Sequence, residues 1–280
     1  MSWFLPLLAC CIGVVCGCAQ GALAAEEQSR LTVQAKPFPC VSVQAPDGTN
    51  VVALPFQAAA RLAPPPSGGA RKGVSSPVRA ALLLLYGVPA NLTAPQLSAL
   101  SARLQSRFAV PFVLLAPTDA VFPGAASTVR TRRMRWLSYG KSVILPSGAV
   151  DVHVLPQDNQ VRSRSLAIVH LRVPYMDVGI AYPVARQPVH ARPPEQDVLI
   201  VDLGQLTVND FSPRALSMLD PGMAVILDGS TRLSRQPDLT QFVDRLYEMW
   251  IDVYTVDSPV ALTVIADPHG VFLPLHGRHA

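Results

Sequence analysis

Four aspartates, Asp202, Asp228, Asp252 and Asp257, stand at or beside the ends of apolar runs in the second half of the chain. Carboxylates at the carboxyl ends of parallel strands can ligate metal or move protons as acid and base. Aspartate also ends strands because it builds turns, and no partner motif beside these four decides between the two readings. Val201-Asp202-Leu203-Gly204 begins like a phosphate-binding strand, but Gln205-Leu206 stand where that signature needs a further Gly and Thr. His269, His276 and His279 form a second set, the last two as H-x-x-H. Zinc needs three or four ligands on a fixed frame, and a terminal segment frays. His153 and His170 read as ordinary surface or internally satisfied histidines. A Gly-x-Ser-x-Gly elbow, a phosphate loop with Lys, an H-E-x-x-H and a paired C-x-x-C are all missing from the sequence. The sequence therefore assigns no catalytic residue, no cofactor and no metal site.

Arg130, Arg132, Arg133 and Arg135, followed by Trp136, Tyr139 and Lys141, form a basic stretch. Arginine with interleaved aromatics can contact an anionic surface such as phosphate, lipid headgroups or glycan polymers. The plainer reading is a solvated loop or a guarded strand edge. Over 280 residues, 23 basic and 19 acidic side chains leave a formal charge of +4, too dilute for a dedicated nucleic-acid binder. Nucleic acid is not an expected partner.

The elements that must position these residues are short. With 27 Pro and 17 Gly, long helices are disfavoured and turns are frequent. Residues 31–45 read as one or two strands and 51–56 as another. The apolar run VRAALLLLYGV at 78–88 suits a buried helix or strand, and its length and Ala/Leu content favour helix. Residues 93–108 carry Leu97, Leu100, Leu104 and Phe108 along one helical face, with Thr93 as cap and Pro95 in the first turn.

Residues 141–145 and 149–155 flank Pro146-Ser147-Gly148 as a hairpin. In its second arm Val150, Val152 and Val154 alternate with Asp151 and His153, giving one buried and one wet face. Strands are expected at 165–173, 197–203, 224–228, 253–256, 261–266 and 271–275. A helix is expected at 239–250, with Phe242, Leu246 and Met249 or Trp250 facing inward. The sum is an α+β fold, with mixed α/β open, strand-rich with a few short helices. Composition divides the chain into a leader (1–25), N-terminal strands (26–62), a Pro/Gly-rich linker or loop (63–77), an α+β domain (78–181), a Pro-rich linker (182–196) and a C-terminal α/β module (197–280).

Residues 1–25 lack charged side chains and hold four of the five cysteines. An apolar core followed by small residues has the order of an export signal. Ala22-Leu23-Ala24 offers cleavage between Ala24 and Ala25. Val15-Cys16-Gly17-Cys18 offers lipidation of Cys18. An uncleaved anchor is the third reading. After either cleavage Cys40 is the one unmodified thiol, so no internal disulfide is expected. The expected location is the periplasm, or the periplasmic side of a membrane through the lipid or leader.

Three pieces resemble the FlgP-like, or lipoprotein-20-like, bacterial envelope proteins, several of them linked to flagellar motility. They are the hairpin PSGAVDVHVLP from Pro146, the strand VLIVDLGQL from Val198, and Ser212-Pro213-Arg214 followed by Asp220-Pro221-Gly222, within residues 82–227. The resemblance implies a non-enzymatic envelope protein with a structural or interaction role. Its partners would be envelope or flagellar proteins, or further copies of itself in a homo-oligomer. The alternative is an exported hydrolase, or a binding protein for an envelope ligand, using strand-end carboxylates such as Asp202 and Asp228.

Overall fold

The computed structural model describes residues 28–35, 39–62, 78–89, 91–105, 107–118, 134–155, 165–185, 193–227, 237–257, 261–270 and 273–275. Strands β1 (Ser29–Gln34), β2 (Cys40–Gln44) and β3 (Asn50–Pro55) form an antiparallel meander. Helix α1 (Phe56–Ala60) follows, then β4 (Val78–Arg79), β5 (Leu82–Val88), helix α2 (Ala94–Gln105), β6 (Phe108–Ala109), β7 (Phe112–Pro117) and β8 (Met134–Trp136). Strands β5, β7 and β8 extend the first sheet parallel to β3.

The second sheet repeats this plan. Strands β9 (Val143–Leu145), β10 (Gly148–Val154), β11 (Ser165–Val173) and β12 (Met176–Val184) run antiparallel. Strands β13 (Val198–Asp202), β14 (Met223–Leu227) and β15 (Asp252–Val256) continue parallel to β12. Helices α3 (Pro213–Leu219) and α4 (Pro237–Glu248) connect them. The chain then returns to the first sheet as β16 (Leu262–Ala266), antiparallel to β1, and β17 (Leu273–Leu275). Residues from both ends of the described chain thus share one sheet, and the two sheets hold eight and seven strands.

Alternation along each strand sorts the side chains into three apolar layers. Leu84, Val169, Ile180 and Val225 are among those that fill the space between the sheets. Leu83, Leu85, Leu97, Leu100 and Leu104 join α1 and α2 to the outer face of the first sheet. Leu199, Val201, Leu216, Phe242 and Leu246 join α3 and α4 to the outer face of the second. The fold is α+β and strand-rich, with helices outside two packed mixed sheets.

Several local expectations change. The run at 78–88, read as helix, forms β4 and β5. Strand β5 is paired on both sides in parallel and covered on both faces, so it has no polar face to alternate with. Strand β12 went unread because its sequence, MDVGIAYPV, runs into a Pro-rich stretch. In the predicted helix at 239–250, Met249 packs inward while Trp250 is 94% exposed with φ at 62°, just past the end of α4. Phe108 leaves the helix for β6 yet stays buried. Cys40, half-buried at the start of β2, is a free thiol whose pKa burial pushes up to about 12.

Candidate functional site

The parallel halves of the two sheets bring the carboxyl ends of their strands to one rim. Ala185, just past β12, donates its N–H to Thr118 O at 2.8 Å, and Thr118 donates to Val88 O at 2.9 Å. The Tyr139 and Tyr182 hydroxyls donate to Pro117 O at 2.7 and 3.2 Å. Ligand sites in open α/β sheets form outside strand carboxyl ends.

Asp202 ends β13 at this rim. Since Val198 and Ile200 point between the sheets, the period of two sends Asp202 there as well. It is 1% exposed. Its Oδ1 accepts the Gly204 N–H at 2.9 Å and its Oδ2 accepts from Gln205 Nε2 at 2.9 Å. Its carbonyl accepts from the backbones of Gln205 and Leu206, so the whole residue holds the turn after β13. Across the gap, Tyr86 of β5 is fully buried and its hydroxyl has no hydrogen-bond partner among the described residues. The Tyr86 ring lies 6.1 Å from that of Tyr182. Burial first, then the charge of Asp202, holds the Tyr86 hydroxyl pKa well above the usual phenol range. Gly87, at φ 70°, gives room for Gln205, whose Oε1 would lie 3.1 Å from a Cβ at that position.

Burial raises the Asp202 pKa, although hydrogen bonds from Gln205 and Gly204 pull the other way. The folded state therefore holds this proton more tightly than the unfolded chain. Its contribution to stability is fully present below about pH 3.9 and is lost as pH rises through the raised folded value. Asp202→Asn removes that slope. Urea midpoints of the variant, relative to wild type, should move in the variant's favour as pH rises across this window. A difference that stays flat from acid to neutral pH contradicts the raised pKa.

A second polar cluster lies on the helix-facing side of the second sheet, away from the rim. His170 of β11 is fully buried and pairs in register with Asp151 of β10. Its Nδ1 lies 3.2 Å from Asp151 Oδ1 and its Nε2 lies 3.0 Å from Asp177 Oδ1. His153 Nε2 meets the same Asp151 oxygen at 2.9 Å, while its buried Nδ1 has no partner among the described residues. Asp177 is further held by Arg172 Nε at 3.4 Å, and donates its backbone N–H to Asp197 Oδ2 at 2.7 Å. Burial alone would raise the Asp151 pKa, but hydrogen bonds and charge from His153 and His170 hold it well below the carboxylate range. Burial likewise opposes charge on His170, and the bonds and charges of Asp151 and Asp177 outweigh it, so its pKa is raised.

Of the strand-end aspartates, the three described ones, Asp202, Asp252 and Asp257, do not converge. Asp252 starts β15 at the opposite end and is exposed, and Asp257 is exposed past the carboxyl end of the same strand. His269 is exposed in a turn. Arg135 on β8 packs its guanidinium 5.4 Å from the Phe112 ring centre. Asp228, His276, His279, Arg130, Arg132, Arg133, Cys18, Ala24 and Ala25 lie outside the described residues. Sequence reading missed Tyr86 and Gln205 at the rim. The one available signal was a Tyr-Gly pair closing an otherwise apolar run.

Neither a family model nor a curated protein sequence matches the chain. Among solved structures it is similar to the metallo-β-lactamase fold protein YhfI from Bacillus subtilis, at 7% identity and a TM-score of 0.44, over 84% of this chain and 98% of that one. It is also similar to MEM-A1, a subclass B3 metallo-β-lactamase isolated from a soil metagenome library. That match has 11% identity and a TM-score of 0.30, over 80% and 93% of the two chains. Likeness at this level carries no inference about chemistry. The FlgP-like resemblance is corrected: no family model, an envelope family included, matches the chain. The physical reason is visible in the pieces. The PSG motif makes the β9–β10 turn, VLIVD makes β13, and Ser212-Pro213 caps α3 through Ser212 Oγ accepting from Ala215 N at 3.1 Å. Each is a local strand, turn or cap signal that many folds share.

Proposed function

We propose that the protein is an exported hydrolase whose site is the strand-end rim, with Asp202 as the proton-handling carboxyl and Tyr86 as its phenolic neighbour. One observation carries this reading: a buried carboxyl with a raised pKa faces a buried hydroxyl that has no partner among the described residues, where the carboxyl ends of both sheets meet. Titratable groups displaced from their usual range mark candidate acid–base sites, and hydrolysis by proton transfer to and from water needs no bound nucleotide or redox group. Gln205 spans from Asp202 to the Gly87 backbone, so a substrate that reached Asp202 would displace this side chain. Export rests on the charge-free leader. Mass spectrometry of the mature N-terminus tests it by separating acylated Cys18, free Ala25 and intact Met1.

A panel of ester, amide, glycoside and phosphodiester reporters tests the hydrolase reading. We expect turnover of one class, reduced roughly 10²-fold or more in Asp202→Asn, with Tyr86→Phe weakened less. Turnover that survives both substitutions unchanged removes the rim from the chemistry. A second reading is favoured by the occupied oxygens of Asp202, both already bonded within their own turn: the rim binds an envelope ligand without turning it over. Saturable binding without hydrolysis, lost in Gln205→Ala, would select it.

A further inference from the structure

We propose that Asp151, His153 and His170 form a binding site for one divalent cation of the zinc class, on the helix-facing side of the second sheet and separate from the strand-end rim. The donors come from two hydrogen-bonded strands whose register places Asp151 opposite His170, with His153 two residues along on the same face. The three candidate ligand atoms lie within 4.8 Å of one another. Tetrahedral zinc, with bonds of about 2.0–2.1 Å, sets its donors roughly 3.3 Å apart. The Asp151 oxygen already stands 2.9 Å from His153 Nε2 and 3.2 Å from His170 Nδ1. The two histidine nitrogens lie within 4.8 Å of each other, so an ion would be closed on by rotation of the imidazoles on strands whose register already places them.

The surroundings have the form of a ligand-orienting shell. An imidazole that binds metal through one nitrogen ordinarily gives its other N–H to a carboxylate. His170 has that carboxylate in Asp177, which is itself fixed by Arg172 and by its backbone bond to Asp197. His153 would ligate through Nε2, the nitrogen beside Asp151; its buried Nδ1 has no partner among the described residues, so this ring lacks the orienting bond that His170 has. Its side chain is 13% exposed, whereas that of His170 is fully buried. Two imidazoles and one carboxylate suit zinc, cobalt or nickel, and not magnesium or calcium, which take oxygen ligands.

The test uses the full chain without an affinity tag, stripped with chelator and dialysed. Isothermal titration with zinc chloride should give one ion per chain, and cobalt should produce the visible bands of a low-symmetry nitrogen–oxygen site. His153→Gln should weaken binding at least about 10-fold, and Asp177→Asn about 10- to 100-fold. Asp202→Asn should bind as wild type does, which separates this proposal from the rim reading. Because a substitution can disturb packing, the imidazole nitrogen resonances of wild type are followed as zinc is added. Those of His153 and His170 should shift, with far-UV circular dichroism unchanged. The proposal is overturned if the stripped chain binds no zinc, if His153→Gln binds unchanged, or if binding disappears instead in a His276→Gln/His279→Gln double variant.

Discussion

Asp151→Ala should destabilise the chelator-treated protein by about 3 kcal/mol, the usual scale for removing one partner of a buried charged pair. Asp151 is 7% exposed and is the shared acceptor of two histidines. Without it His170, fully buried, keeps only Asp177, and His153 loses the partner of its Nε2. The cost comes from the groups left behind more than from the bond removed. Arg172→Ala is the control: Arg172 is 55% exposed, and its ion pair with Asp177 should contribute less than 1 kcal/mol. Urea unfolding of both variants checks the contrast. Equal midpoints would mean that the cluster is solvated and loosely held.

Phe242→Ala should cost about 3–5 kcal/mol, the range for emptying a buried aromatic site. Phe242 is 2% exposed, lies 5.4 Å from the Phe211 ring centre, and anchors α4 to the second sheet. Tyr247 on the same helix is 56% exposed, and Tyr247→Ala should change stability by no more than about 0.5 kcal/mol. Thermal or denaturant melts of the pair report directly on whether α4 is docked as described. A Phe242→Ala loss below about 1 kcal/mol would place the helix elsewhere.

Much of this architecture was legible because strand and helix periods differ. The helix at α2 announced itself through Leu97, Leu100 and Leu104, all buried on one face. The β9–β10 hairpin followed from Pro146-Ser147-Gly148 between alternating runs. Strand β5 was illegible for a physical reason: parallel neighbours and cover on both faces erase the alternation that separates strand from helix. The return of β16 to pair with β1 was also hidden, since pairing across more than two hundred residues leaves no local signature.

The two polar clusters were half legible. Asp202 was marked as a strand-end carboxyl, but its neighbours Tyr86 and Gln205 come from distant or turn positions that only the stacking of two sheets brings together. Asp151 and His153 were read as a wet face. Register adds what sequence lacks: His170 from the next strand and Asp177 from the one beyond cover that face and bury it. An Asp-x-His alternation in a hairpin arm, followed by a His in the next strand, was the available hint.

In the proposed hydrolase site Asp202 acts at the rim as a displaced acid. The most direct measurement is a carbon-13 titration of the Asp202 side-chain carboxyl, with and without the reporter substrate or its non-hydrolysable analogue. We expect an apparent pKa above the ordinary carboxyl value of about 3.9, and a further change in shift or pKa when the ligand binds. An Asp202 carboxyl that titrates at the ordinary value and ignores a ligand the protein demonstrably binds would contradict the claim and leave this residue as the fastening of a turn.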